Sequence, residues 1–153
     1  MGCDIHMHVE YKPKDVWESG DYFIKTGYGN CNIGFCEDRC YDLFAVLANV
    51  RNYDDVRYIA KPRGIPRDAT EHTMESYKIW HLDAHSASYF TLKELIDFYN
   101  ETKTEVLEHL IDELRRRADE LCLIWNYRWE NERLYSDAYN DSDKIRIVFW
   151  FDN

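Results

Sequence analysis

Residues 3–11 read Cys3-Asp4-Ile5-His6-Met7-His8-Val9-Glu10-Tyr11, a strict alternation that puts Cys3, Ile5, Met7, Val9 and Tyr11 on one side and Asp4, His6, His8 and Glu10 on the other. Period two marks a β-strand with an apolar face and a polar face. The chain ends on a similar pattern, Ile145, Ile147, Phe149 and Phe151 alternating with Arg146, Val148, Trp150 and Asp152, approached through the turn-forming Asn140-Asp141-Ser142-Asp143. Strands at both ends with helices between them predict an α+β fold. Its sheet is mixed or antiparallel, contains the N- and C-terminal strands, and carries helices packed on one face.

Working inward, Val16-Trp17 and Tyr22-Phe23-Ile24 flank the turn-like Glu18-Ser19-Gly20-Asp21 and predict two short strands. Residues 27–36 carry three glycines and read as irregular loop; helical spacing then begins at Cys40 and runs through Leu43, Phe44, Leu47 and Val50, with Asp38 as a cap. Arg51 to Thr70 holds two prolines and a glycine with no sustained period, which predicts a long loop of the kind that is uncommon unless functional. A short helix over Thr73–Leu82 fits Met74, Tyr77 and Trp80. Thr91-Leu92-Lys93-Glu94 is a capping box with Phe90 and Leu95 as its staple, so a helix starts there and runs to about Tyr99 or Asn100. Thr102 and Glu105 read as a second capping box, followed by Val106, Leu107, Leu110, Ile111, Leu114, Ala118 and Leu121 on one helical face. The pairs Asp112 with Arg116 and Glu113 with Arg117 lie on its outer face.

Length and composition bound the function. A chain of 153 residues, 45% hydrophobic, fits one domain with a real core. The net charge of -10 repels phosphate backbones over most of the surface, so bulk nucleic acid is disfavoured as a partner. No stretch reaches the ~18 apolar residues of a membrane span, which predicts a soluble, cytoplasmic protein. Five cysteines, an odd number, fit reduced thiols, and the spacing of Cys31, Cys36 and Cys40 is not that of a common zinc module. Aromatic residues make up 16% of the chain and supply flat faces for packing or for stacking on a planar ligand.

The chemistry concentrates in Asp4-Ile5-His6-Met7-His8. Two imidazoles two residues apart on a strand project the same way and can share one divalent ion, zinc or manganese, with Asp4 as an oxygen ligand and Glu10 as ligand or general base. The bland reading carries even weight: a strand with one wet face shows polar residues at every second position. His85-Ser86-Ala87-Ser88 precedes the Thr91 helix start, where a phosphate finds free backbone NH groups, with Ser86 and Ser88 as donors and His85 as general acid. A hydrogen-bonded loop histidine explains His85 equally well. Arg51, Asn52 and Arg63 supply side chains suited to a phosphate or carboxylate, although solvated loop arginines are common. His72, His81 and His109 stand alone and are given no site role.

The segments MGCDIHMHVE, DLFAVLANVRN, RGIPRDAT, HSASYFTLKEL and IRIVFWFDN resemble a family of short tailed-phage proteins, and the resemblance covers most of the chain. It rests on Cys3, Asp4, His6, Arg51, Asn52, Arg63, Gly64, Pro66, Asp68, His85, Ser86, Phe151, Asp152 and Asn153. It implies phage origin and action in the cytoplasm of an infected bacterium, and implies no particular activity. Asp-x-His-x-His is also similar to the first strand of amidohydrolase and polymerase-and-histidinol-phosphatase metal hydrolases. That likeness spans five residues and transfers local chemistry alone, because those barrels are longer than this chain.

These readings converge on a metal-dependent hydrolase of a phosphate-bearing, nucleotide-type small molecule. Asp4, His6 and His8 bind the ion, Glu10 and His85 move protons, and Arg51, Asn52, Arg63, Ser86 and Ser88 hold the substrate. The rival reading is a non-catalytic binder that sequesters a nucleotide signal and so counters bacterial immunity; a homo-oligomer is compatible with either. Both need the polar side of the first strand to share one pocket with His85 and the arginine loop.

Overall fold

A computed structural model of the chain describes residues 2–13, 15–21, 25–26, 29–30, 39–128 and 142–153, with backbone alone for 25–26, 29–30 and 119–128. Four strands form the main sheet in the order β2-β1-β6-β5: β1 (Asp4–Tyr11), β2 (Glu18–Ser19), β5 (His85–Thr91) and β6 (Ile145–Asp152). All its pairings are antiparallel. The N- and C-terminal strands are central neighbours, with Asp4 opposite Asp152 and Tyr11 opposite Ile145 along the full length of both. The fold is therefore α+β, as the alternation at the two ends predicts.

The register sorts side chains between two faces. Met7, Val9, Ile147, Phe149 and Phe151 share one face with Phe90, all nearly inaccessible. Against it pack α1 (Tyr41–Ala48), α3 (Leu92–Thr102) and α4 (Glu105–Arg128), through Leu43, Phe44 and Leu47, then Leu95 and Phe98, then Leu107, Leu110 and Leu114. Burying a side chain of this kind stabilises by about 1.5–3 kcal/mol. Capping at Thr91 takes the expected form: Thr91 Oγ1 accepts from the Glu94 backbone NH, and the Glu94 carboxylate accepts from Thr91 NH. Chain direction thus changes from β5 to α3 at a single residue.

Helix α2 (Glu71–Trp80) lies on the other face, over β1. Thr73, Ser76, Tyr77 and Trp80 form one helical stripe and meet Glu10, His8, Trp150 and His6 respectively. From His6 to Glu10 the polar face of β1 is consequently covered rather than wet, while Asp4 at the strand's end stays exposed.

Several local expectations change. His85 to Ser88, expected only as the approach to the Thr91 helix start, belong to the edge strand β5, interrupted by a bulge between His85 and Ser88 where Ser86 takes φ +53°. Gly64 NH donates to Ala87 O and Arg63 NH to Ser88 Oγ, so the long loop covers this strand's open edge. Thr102 is the last residue of α3 rather than a cap for α4, and its hydroxyl bonds back to Phe98 O. Arg117 is buried, not on an outer solvated face, and Glu113 pairs with Arg116. The second short strand is Glu18–Ser19, not Val16-Trp17, and part of the 27–36 segment enters a two-stranded pairing of β3 (Lys25–Thr26) with β4 (Gly29–Asn30). Tyr22 to Ile24, Asp38 and the turn over 140–141 lie outside the described residues. No helix among the described residues is long and apolar enough to cross a membrane.

Candidate metal centre and adjoining clefts

His8 sits midway along β1 and is buried beneath α2. After β2 the chain turns back at Gly20, whose NH bonds to Val9 O; a Cβ there would stand 3.1 Å from Val9 Cγ1, so a glycine lets the turn press against β1. The next residue, Asp21, is thereby laid over His8. Its Oδ1 accepts from Val9 NH at 3.0 Å, and its Oδ2 lies 2.6 Å from His8 Nδ1. His72, in the first turn of α2, brings Nε2 to 3.2 Å from the same Oδ2. His8 Nε2 meets Ser76 Oγ at 3.0 Å, and the His8 ring stacks on Trp150.

Donor atoms of His8, Asp21 and His72 all lie within 4.8 Å of one another, and this group could hold a metal ion. In a tetrahedral site with bonds of about 2.0–2.1 Å, neighbouring donors stand roughly 3.3 Å apart. The Asp21–His72 separation of 3.2 Å already meets that geometry. The His8–Asp21 contact is a short hydrogen bond and would open slightly. His72 keeps a side chain 15% exposed against 6% for His8 and 2% for Asp21, so the group is open on the His72 side. There it adjoins a cleft of about 630 Å³ that Glu71, Glu75, Glu18 and Trp17 also line.

The residues singled out from the sequence fall into separate places. His8 joins the cluster, but Asp4 and His6 do not. Asp4 pairs at the surface with Arg39, whose hydrogen bond and charge hold the carboxyl below its ordinary range. His6 Nε2 donates to Asp152 Oδ2 at 2.8 Å, and its ring lies between Trp80 and Trp150. Glu10 is fully buried and saturated: Arg146 holds Oε1, and Thr70 NH and Thr73 Oγ1 hold Oε2 at 2.7 and 2.8 Å. A carboxylate so engaged is a structural anchor and has no lone pair left for a reacting water.

His85 stacks on Phe151 and approaches Cys3 Sγ at 3.9 Å, both on the apolar side of the sheet. It therefore shares no pocket with His6 and His8, because an intervening sheet separates them. Ser86 turns its hydroxyl to His85 Nδ1 at 3.1 Å. Burial pushes the Cys3 thiol up, with Arg51 beside it pulling the other way. Arg51 also bonds Tyr53 Oη, and Asn52 closes its own turn through Asn49 and Val56. Arg63 packs over Phe90, bonds Tyr89 O and pairs with Glu94, while Ser88 is buried beneath it. The expectation of one pocket uniting these residues is thus corrected by the pleat, which sends His85 and His8 to opposite faces.

Asp21 and His72 were missed by sequence reasoning. The β1–β2 turn carries some signal for Asp21, since a hairpin returns its end to β1. His72 carries none, being 64 residues from His8. Comparison of the chain with protein-family models, with curated proteins and with solved structures finds no significant match.

Proposed function

We propose that the protein is a metal-dependent hydrolase of a phosphate-bearing, nucleotide-type small molecule, with His8, Asp21 and His72 holding one zinc or manganese ion. The observation that carries this reading is the convergence of two imidazoles on one oxygen of a buried carboxylate, open on a single side. Three protein ligands with one free position is the arrangement of catalytic zinc, which polarises a phosphoryl oxygen and lowers the pKa of bound water. Glu71 and Glu75, lining the same cleft as His72, are the carboxylates available to accept that water's proton. We take the setting to be the cytoplasm of a phage-infected bacterium, on the resemblance given above.

Elemental analysis of the tag-free protein, with turnover of p-nitrophenyl phosphate and bis-p-nitrophenyl phosphate, tests the reading. One equivalent of metal is expected, lost in His72→Ala and kept in His6→Ala, with turnover that chelation stops and added metal restores. Turnover indifferent to chelation, or a full-length protein that takes up no metal, sinks it. The second reading, a binder that holds a nucleotide without cleaving it, is favoured by the arginines and aromatic rings of the neighbouring cleft. Ligand recovered unchanged from a stoichiometric complex decides for it.

A further inference from the structure

The cleft beside His72 shares Trp17 and Asp68 with a second one of about 680 Å³, lined by Arg63, Arg67, Arg146 and Tyr89. Arg146 forms its floor. This residue rises from the central strand β6, is 4% exposed, and stacks its guanidinium 3.9 Å from the Trp17 ring centroid. Glu10 already neutralises it from below, through Nε at 2.8 Å and Nη2 at 2.7 Å. Even so, a second carboxylate sits on the same guanidinium: Asp68 Oδ1, at 3.0 Å from Nη1.

The two carboxylates differ. Glu10 is fully buried, whereas the Asp68 side chain is 63% exposed and comes from a loop. Burial would raise the Asp68 carboxyl, but the Arg146 hydrogen bond and charge outweigh it and hold it below the ordinary range, so it stays ionised. The Asp68 backbone carbonyl also accepts from Arg146 Nη2 at 3.2 Å, so the loop stays anchored while its exposed carboxylate, whose pairing solvent screens, can give way to an incoming oxyanion of better geometry. Arg67, the neighbouring residue, is exposed and has no ion-pair partner among the described residues. Trp17, one face of whose ring Arg146 covers, and Tyr89 are half-buried and line the same cleft.

We infer that this arginine and aromatic cleft is a recognition subsite for a nucleoside monophosphate unit, in which the phosphate takes the place of the Asp68 carboxylate on Arg146 and gains Arg67, while Trp17 or Tyr89 meets the base. The inference rests on the hydrolase reading for its link to the metal centre but not for binding, since no metal ligand contributes to the subsite. Asp68 acts as the resident competitor, keeping Arg146 paired until a stronger anion arrives.

Calorimetric titration of the chelator-treated full chain with AMP, adenosine and inorganic phosphate tests this, using wild type, Asp68→Asn and Arg67→Gln. AMP is expected to bind more tightly than either fragment. Arg67→Gln should weaken AMP about tenfold, the loss of one charged hydrogen bond, and Asp68→Asn should strengthen it several-fold. Equal binding of AMP and adenosine, absence of AMP binding, or weaker AMP binding by a folded Asp68→Asn variant overturns the inference. Thermal melts establish folding, and Asp68→Ala repeats the test if Asp68→Asn is unfolded. Because metal is stripped throughout, failure here leaves metal content and turnover to decide the hydrolase reading separately.

Discussion

Two buried polar clusters lie side by side between β1 and α2, one around Glu10 and one around His8. Around Glu10 each carboxylate oxygen has its own donors, with Arg146 on Oε1 and Thr70 and Thr73 on Oε2. Around His8 two imidazoles converge on a single oxygen, Asp21 Oδ2, while Oδ1 is taken by the backbone of Val9. In the first, every oxygen of the carboxylate is met by its own donors. The second concentrates three potential ligands on one point, an arrangement that a cation would complete. Residues two apart on one strand, pointing the same way, thus differ in kind because of what the turn at Asp21 and the first turn of α2 bring to them.

The largest expected effect tests whether the Glu10 cluster is structural. Glu10→Ala leaves buried Arg146 with the exposed, loop-borne Asp68 as its counter-charge and strips the Thr70 NH and Thr73 hydroxyl of their acceptor, and should destabilise by about 3–5 kcal/mol in urea unfolding. A loss under about 1 kcal/mol would mean that the network is not an anchor, and the contrast between the clusters would fail. Next comes the metal. Adding zinc or manganese at about 100 times its dissociation constant should stabilise the wild type by about 2.7 kcal/mol. Asp21→Asn should abolish that increment, and an equal increment in both proteins would place the ion elsewhere.

His6 sharpens the comparison further. His6→Gln breaks the bond to Asp152 and should cost about 1 kcal/mol, with metal stoichiometry unchanged; loss of metal in this variant would restore the original pairing of His6 with His8. The smallest effect is acid dependence. With its folded pKa lowered, Asp68 contributes stability that is present above the ordinary carboxylate range and lost as pH falls through the lowered value. Exposure and solvent screening keep that contribution under about 1 kcal/mol. Asp68→Asn should flatten this part of the acid unfolding curve, and a curve identical to wild type would show the pair to be energetically silent.

The fold was legible where burial has a period. β1 and β6 announce themselves because each has a side that water cannot reach, and Thr91-x-x-Glu94 because unpaired helix-end NH groups select those residue types. β5 was hidden: His85-Ser86-Ala87-Ser88 is polar and carries a bulge, which breaks the alternation that would have revealed it. Part of the candidate site was also legible, since His8 stands on a loaded polar face. Glu10 beside it looks equally reactive in the sequence, because nothing local tells an anchoring carboxylate from a reactive one. Arg146, its partner, is 136 residues away.

By itself the sequence determined the terminal strands, the α+β class, the start of α3 and the side of β1 on which the polar chemistry lies. All of these follow from interactions within a few residues or from a repeating contrast between water and core. Tertiary structure alone decided that α2 covers the polar face, that Asp21 and His72 rather than Asp4 and His6 gather around His8, and that His85 lies across the sheet. Those outcomes depend on which distant segments dock together, and short-range physics leaves that choice open.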